Sequence, residues 1–247
     1  MLLALHGLGS EASAMHAYLD GAVPAGVRVV APDLRAHGAS TLIGEPDDFA
    51  LESLANEVAD ALARVQDGTP VSIVGVSLGA AIAQLIARSG RFPLDRVALV
   101  RPAFTTEPLP PNLAVFPVLG RLLEEQRPQR ALEQLRASGA WRAIAHVSLA
   151  HARGLEAQLT QPLARERRIR LLEIPRNAAY RPGELRIAAP AVVLASPRDP
   201  LHPLHIAEAW RDELGCRMLL SPTRDDGEDA MYAWFRQQLG SFLVGIR

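Results

Sequence analysis

This 247-residue chain is short of the parts that mark several protein classes. It has one cysteine, Cys216, so no disulfide can close within it. That thiol reads as a small buried hydrophobe late in the chain rather than as a nucleophile. Aromatic residues make up only 5%. No apolar run approaches the roughly 20 residues needed to span a bilayer. Met1 leads straight into Leu2–Leu5, with no basic stretch and no small-residue cleavage site. The expectation is a soluble, cytoplasmic protein without a membrane partner. The formal net charge is −1, which gives no electrostatic reason to expect nucleic acid as a partner. No Cys or His pair stands at metal-ligand spacing beside a carboxylate, so neither metal nor cofactor is expected. Gly7-x-Gly9 lacks the rest of a dinucleotide fingerprint. Histidine is also unevenly spread: the last is His205, and the stretch from Ile206 to Arg247 has none.

What remains is enough for a globular domain. The length suits one α/β domain. Hydrophobic residues at 49% can build a sizeable core, and charged residues at 21% are ordinary. Short apolar runs alternate with amphipathic stretches, which predicts a mostly parallel sheet. The strand candidates are Leu2–Leu5, Val27–Ala31, Val71–Val74, Arg96–Val100, Ala191–Ala195 and Arg217–Leu220. Helices are expected at Ser53–Val65, Leu78–Arg88, Pro203–Glu213 and Asp229–Leu243. The second of these is apolar nearly all round and should be buried.

Residues 102–185 break the alternation. A proline-rich stretch from Pro108 to Pro117 leads into helical patterns at Leu113–Gln126, Pro128–Ser138, Trp141–His151 and Arg153–Leu172. These read as a helical cap between core segments 1–101 and 186–247. Arg165–Arg170 reads as a solvated helix face.

The richest stretch is Val71-Ser72-Ile73-Val74-Gly75-Val76-Ser77-Leu78-Gly79-Ala80-Ala81. An apolar β-branched run meets Gly-x-Ser-x-Gly and then small residues that open a helix. That is the pattern of a nucleophile elbow, which lifts a serine hydroxyl above a sheet. Three other segments stand at strand ends: His6-Gly7-Leu8-Gly9-Ser10, Pro32-Asp33-Leu34-Arg35-Ala36-His37-Gly38-Ala39-Ser40, and Ser196-Pro197-Arg198-Asp199-Pro200-Leu201-His202-Pro203. Together the four segments resemble the α/β-hydrolase family over nearly the whole chain. The resemblance implies that fold, with helices on both faces of the sheet. It implies Ser77 as nucleophile, the backbone N–H groups of Leu8 and Leu78 as oxyanion hole, and Asp199 as triad acid. The family's usual first hairpin has no counterpart, so a reduced sheet of about six strands is expected. Val27–Ala31 would lie at its edge, which hints at a homodimer.

The family's histidine should follow the last strand, in Ser221–Asp229, where no histidine stands. An activated serine needs a base, and several groups compete for the part. His202 lies three residues past Asp199 and His205 six; His146 and His151 are in the cap; Asp225 and Asp226 sit near the expected position. Asp199 itself could instead cap the following helix. Arg101 ends a strand beside the elbow. It could clamp a substrate's carboxylate or phosphate, or form a salt bridge to a neighbouring acid. His6 and His37 read as organisers of their loops. The cap offers Phe104, Phe116, Leu119, Trp141 and Leu149 to line a pocket. The reading is an enzyme acting on an ester, thioester or related small acyl compound. The alternatives are a lyase, epimerase or cyclase in the same pocket, or an inactive protein that binds an acyl ligand.

Overall fold

The computed structural model describes residues 1–244; the last three positions of the expected core segment 186–247 lie outside the described residues. Six strands form one sheet in the order β2-β1-β3-β4-β5-β6, and every neighbouring pair is parallel. The strands are β1 (Leu2–Leu5), β2 (Val29–Val30), β3 (Val71–Val76), β4 (Leu94–Val100), β5 (Ala191–Ala195) and β6 (Arg217–Leu220). The expected edge strand Val27–Ala31 does sit at the edge, but only Val29 and Val30 keep strand pairing.

Side chains along the central strands alternate between two cores. Leu3, Leu5, Ile73, Val97, Leu99 and Val193 face a cluster shared with α2 (Leu51–Ala63), α3 (Leu78–Arg88) and α9 (Leu204–Leu214). Leu2, Ala4, Val74, Val76, Ala98, Val100 and Leu194 face a second cluster shared with α1 (His16–Leu19) and α10 (Glu228–Leu243). Helices on both faces explain why these strands read as unbroken apolar runs.

Between β4 and β5 the chain runs through α4 (Val115–Glu125), α5 (Pro128–Ala137), α6 (Gly139–Val147), α7 (Leu149–Thr160) and α8 (Ile169–Glu173). The two later boundaries differ from the sequence expectation. Ser148 is extended and its side chain accepts the N–H of His151, which starts α7 four residues before the expected Arg153. Pro162 disfavours helical geometry at Gln161, so α7 stops at Thr160 instead of running to Leu172. Among the described residues no helix is long and apolar enough to cross a membrane.

Candidate active site

Ser77 sits in the left-handed region, with φ 54° and ψ −109°, between β3 and α3. Such a backbone is costly for a residue with a side chain and persists only where its surroundings over-determine it. Here both flanking glycines are required. A Cβ on Gly75 would strike the Gly79 carbonyl, and one on Gly79 would strike the Leu5 carbonyl. The Ser77 N–H donates to Val100 O at 2.9 Å, pinning the elbow to the end of β4.

Asp199 and His202 share one tight loop after β5. Asp199 Oδ1 accepts the backbone N–H groups of Leu201 and His202, both at 3.1 Å. Its other oxygen, Oδ2, lies 2.9 Å from His202 Nδ1. One carboxylate therefore both caps the turn and orients the imidazole. An ionised carboxylate only accepts, so Nδ1 carries the proton and Nε2 presents its lone pair. His202 Nε2 lies 2.9 Å from Ser77 Oγ.

Arg101 is buried beside this pair. Its Nε donates to Asp199 Oδ2 at 2.8 Å, and Nη2 reaches the same oxygen at 2.7 Å. Nη2 also lies 2.8 Å from His151 Nε2 and 3.1 Å from His202 Nδ1, and Nη1 is 3.4 Å from the Tyr18 hydroxyl. Of its two sequence readings, this geometry is that of a salt bridge to a neighbouring acid. His151 comes from α7. His151 Nε2 lies between the guanidinium and Asp199 Oδ1, 3.1 Å from that oxygen, and its Nδ1 lies 2.7 Å from Ser148 Oγ. His151, Asp199 and His202 could between them ligate a cation, their donor atoms lying within 4.8 Å of one another. The Arg101 guanidinium already supplies positive charge at that point.

The charges follow from this crowding. Burial alone would raise the Asp199 pKa, but Arg101 and then His202 overcome it and hold the group well below the usual carboxylate range. Burial is also the largest influence on His202 and lowers its pKa; Asp199 opposes that, Arg101 adds to it, and the imidazole is pushed down to about 4. His202 is therefore neutral, with a free lone pair, at neutral pH.

The Gly7–Ser10 turn closes over Ser77: a Cβ on Gly7 would lie 3.4 Å from Ser77 Cβ. Among the described residues, neither the Leu8 N–H nor the Leu78 N–H is taken by a protein acceptor. His6 braces this turn. Its Nε2 accepts the Leu34 N–H at 3.2 Å and its Nδ1 donates to Gly7 O at 2.9 Å. His37 donates Nδ1–H to Arg35 O at 2.7 Å, as a loop organiser would.

A cavity of about 820 Å³ opens above Ser77 and His202, at the carboxyl ends of the strands. Phe104, Leu113, Phe116 and Leu155 give it an apolar wall; Gln158 of α7 and Arg167 and Arg170 from the α8 end give it a polar one. Of the five residues offered for a lining, Phe104 and Phe116 reach it. Leu119 is fully buried, Trp141 only partly, and Leu149 is exposed.

The other candidate bases are elsewhere. His146 and His205 are exposed, and neither is among the lining residues. Asp225 and Asp226 are exposed on the turn after β6. Asp225 accepts the Ala150 N–H at 3.2 Å, so it anchors the start of α7. Sequence reasoning missed Tyr18, Gln158, Arg167 and Arg170. The last two belonged to a charge run read as solvated, yet Arg170 is only 2% exposed. Their spacing carries no sign of that burial.

The family model described as "Alpha/beta hydrolase family" matches residues 2–243. A hydrolase from Pseudomonas aeruginosa PA01 has a similar structure, with a TM-score of 0.72, 19% identity, and coverage of 98% of this chain and 89% of that one. The esterase EaEST from Exiguobacterium antarcticum gives a TM-score of 0.70 at 13% identity, covering 99% and 90% of the two chains. MenH from S. aureus gives 0.72 at 15% identity, covering 99% and 93%. A search of curated proteins finds no match.

Proposed function

Because this chain belongs to the alpha/beta hydrolase family, we propose that it is a serine hydrolase of esters, thioesters or related small acyl compounds, with its base relocated to the loop after β5. The observation that carries this reading is the pair of 2.9 Å contacts, Ser77 Oγ to His202 Nε2 and His202 Nδ1 to Asp199 Oδ2. They are the distances and atoms that a nucleophile, a base and an orienting acid require.

Ser77 Oγ attacks the substrate carbonyl while His202 Nε2 takes its proton. The carbonyl oxygen gains the negative charge and is held by the Leu8 and Leu78 N–H groups. Each such donor typically contributes a few kcal/mol to the transition state. His202 then returns the proton to the departing alcohol or thiol, leaving Ser77 acylated. A water molecule attacks that ester, His202 takes the water's proton, and the acid leaves as Ser77 is reprotonated. Asp199 holds the imidazole in the Nδ1–H tautomer throughout. Arg101 positions Asp199, and the helices α4–α8 act as the cap over the bound acyl group. The apolar wall of the cavity suits a substrate with a hydrocarbon portion.

Labelling with a fluorophosphonate, followed by mass spectrometry of the Ser77 peptide, tests this. Labelled Ser77 in the wild type, with loss of labelling in His202→Ala, is the expected result. Ser77 left unlabelled in the folded wild type, or labelled equally in both proteins, overturns the assignment.

A further inference from the structure

The cavity carries two cations that have no counter-charge among the described residues. Arg170 is 2% exposed. Its Nη1 donates to Ala36 O at 2.5 Å and its Nη2 to Gln161 Oε1 at 3.0 Å, both uncharged acceptors. Its Nε is buried with no hydrogen-bond partner. The Nε of half-buried Arg167 is in the same position. Among the described residues no carboxylate lies within 4.0 Å of either guanidinium. Their neighbours in the same run have partners outside the cavity, although Arg168 Nε is likewise buried without one. Arg168 pairs with Glu124 Oε1 at 3.1 Å, and Arg165 donates to the Glu124 carbonyl at 3.0 Å.

Two like charges placed together under partial burial are costly unless something neutralises them. Burial first, and then Arg167, lower the Arg170 pKa to about 10, which still leaves it charged at neutral pH. The lining of the cavity has Glu11 as its acidic residue, and that side chain takes the Ser13 hydroxyl rather than an arginine. The other two lining arginines are already paired: Arg101 with Asp199 and Arg224 with Glu228.

The site is built rather than incidental. Gln161 Nε2 and Gln158 Nε2 donate to Gly9 O at 3.0 and 3.3 Å, linking Arg170 to the turn that carries Leu8. Gly9 has φ 72°, and any Cβ there would overlap the Gln158 amide. Gln158 Oε1 is buried and unpartnered in the same wall.

We propose that Arg167 and Arg170 form a subsite for an anionic group of the substrate, a carboxylate or a phosphate, so that the hydrolase acts on acidic acyl compounds. This deepens the serine-hydrolase reading and rests on it. Planar guanidinium groups suit the oxygens of either anion.

The test uses esters matched in size that differ in charge. One pair, the 4-nitrophenyl half-ester of glutarate against 4-nitrophenyl 5-methylhexanoate, places the charge on the acyl side. A second pair, O-butyrylglycolate against O-butyrylglycolamide, places it on the alcohol side. The expected result is a kcat/KM at least about tenfold higher for the anion in one pair, the scale of a charge-assisted hydrogen bond. Arg167→Gln and Arg170→Gln should bring that ratio towards one, and Arg170→Lys should keep most of it. A wild type that prefers the neutral ester in both pairs, or a ratio unmoved in Arg167→Gln, overturns the subsite. If no ester is turned over, it is the hydrolase reading that fails. Calorimetric titration of Ser77→Ala with glutarate and with inorganic phosphate then decides the subsite. Binding weakened about tenfold or more by Arg167→Gln upholds it, and the tighter ion identifies the anion. Binding of neither ion overturns it.

Discussion

In the proposed mechanism, the pH dependence of the reaction separates His202 from an unperturbed histidine. Its imidazole is driven from an ordinary value of 6.5 to about 4, by burial first and with the help of Arg101, against the pull of Asp199. The free enzyme needs the neutral ring, and kcat/KM reports ionisations of the free enzyme. At pH 5 a base with a pKa of about 4 is about 90% neutral, whereas one at 6.5 is about 3% neutral. The predicted acid limb is therefore centred near 4, with a rate at pH 5 about thirtyfold above that of an unperturbed histidine. Stability changes in the same window. The unfolded chain takes up a proton near 6.5 and the folded chain does not until about 4, so stability is lost as pH falls between those values, by about 3 kcal/mol from this residue. The assay is kcat/KM on a chromogenic ester from neutral pH downwards, with circular dichroism at each point to bound the folded range. Arg101→Gln removes a cation that lowers the His202 pKa, so its acid limb should move towards neutrality. An inflection between pH 6 and 7 in the folded wild type, or one that Arg101→Gln leaves in place, would refute the reasoning.

Other outcomes follow from single contacts. His202→Ala should reduce kcat by about 10²–10⁴-fold, the usual contribution of a general base, measured on any ester the wild type turns over. Asp225→Asn should leave kcat within about twofold, as expected of an exposed loop position; a hundredfold loss would return the base to the turn after β6. Gly79→Ala drives a methyl into the Leu5 carbonyl and should cost about 1–3 kcal/mol in urea denaturation, with activity lost alongside. Phe235→Ala empties a fully buried site between Tyr18 and Trp234. It should cost about 3–5 kcal/mol of stability in the same assay.

The sheet was largely legible because both its faces are covered. Runs such as Val71–Val74 and Ala191–Ala195 need no partner to be recognised, and the elbow glycines declare a turn that only they can make. Boundaries were less legible. The edge strand is two residues long because pairing on one side alone sustains little of Val27–Ala31. The break at Ser148 depended on one side-chain cap inside a continuous helical pattern.

What the sequence determined by itself is local. It placed Ser77 on its turn, and it set Asp199 and His202 three residues apart on one loop, close enough for one carboxylate to hold both the turn and the ring. What only the tertiary structure decided is convergence. Ser77 lies 125 residues from His202 in the chain and meets it because β3, β4 and β5 are neighbours that end at the same level. Arg101 joins them from β4, and His151 from α7. The charge on Arg170 reads in sequence as a solvated surface. Burial is a property of what packs around a residue, and what covers Arg170, Ala36 and Gln161 included, comes from segments that no local pattern brings together.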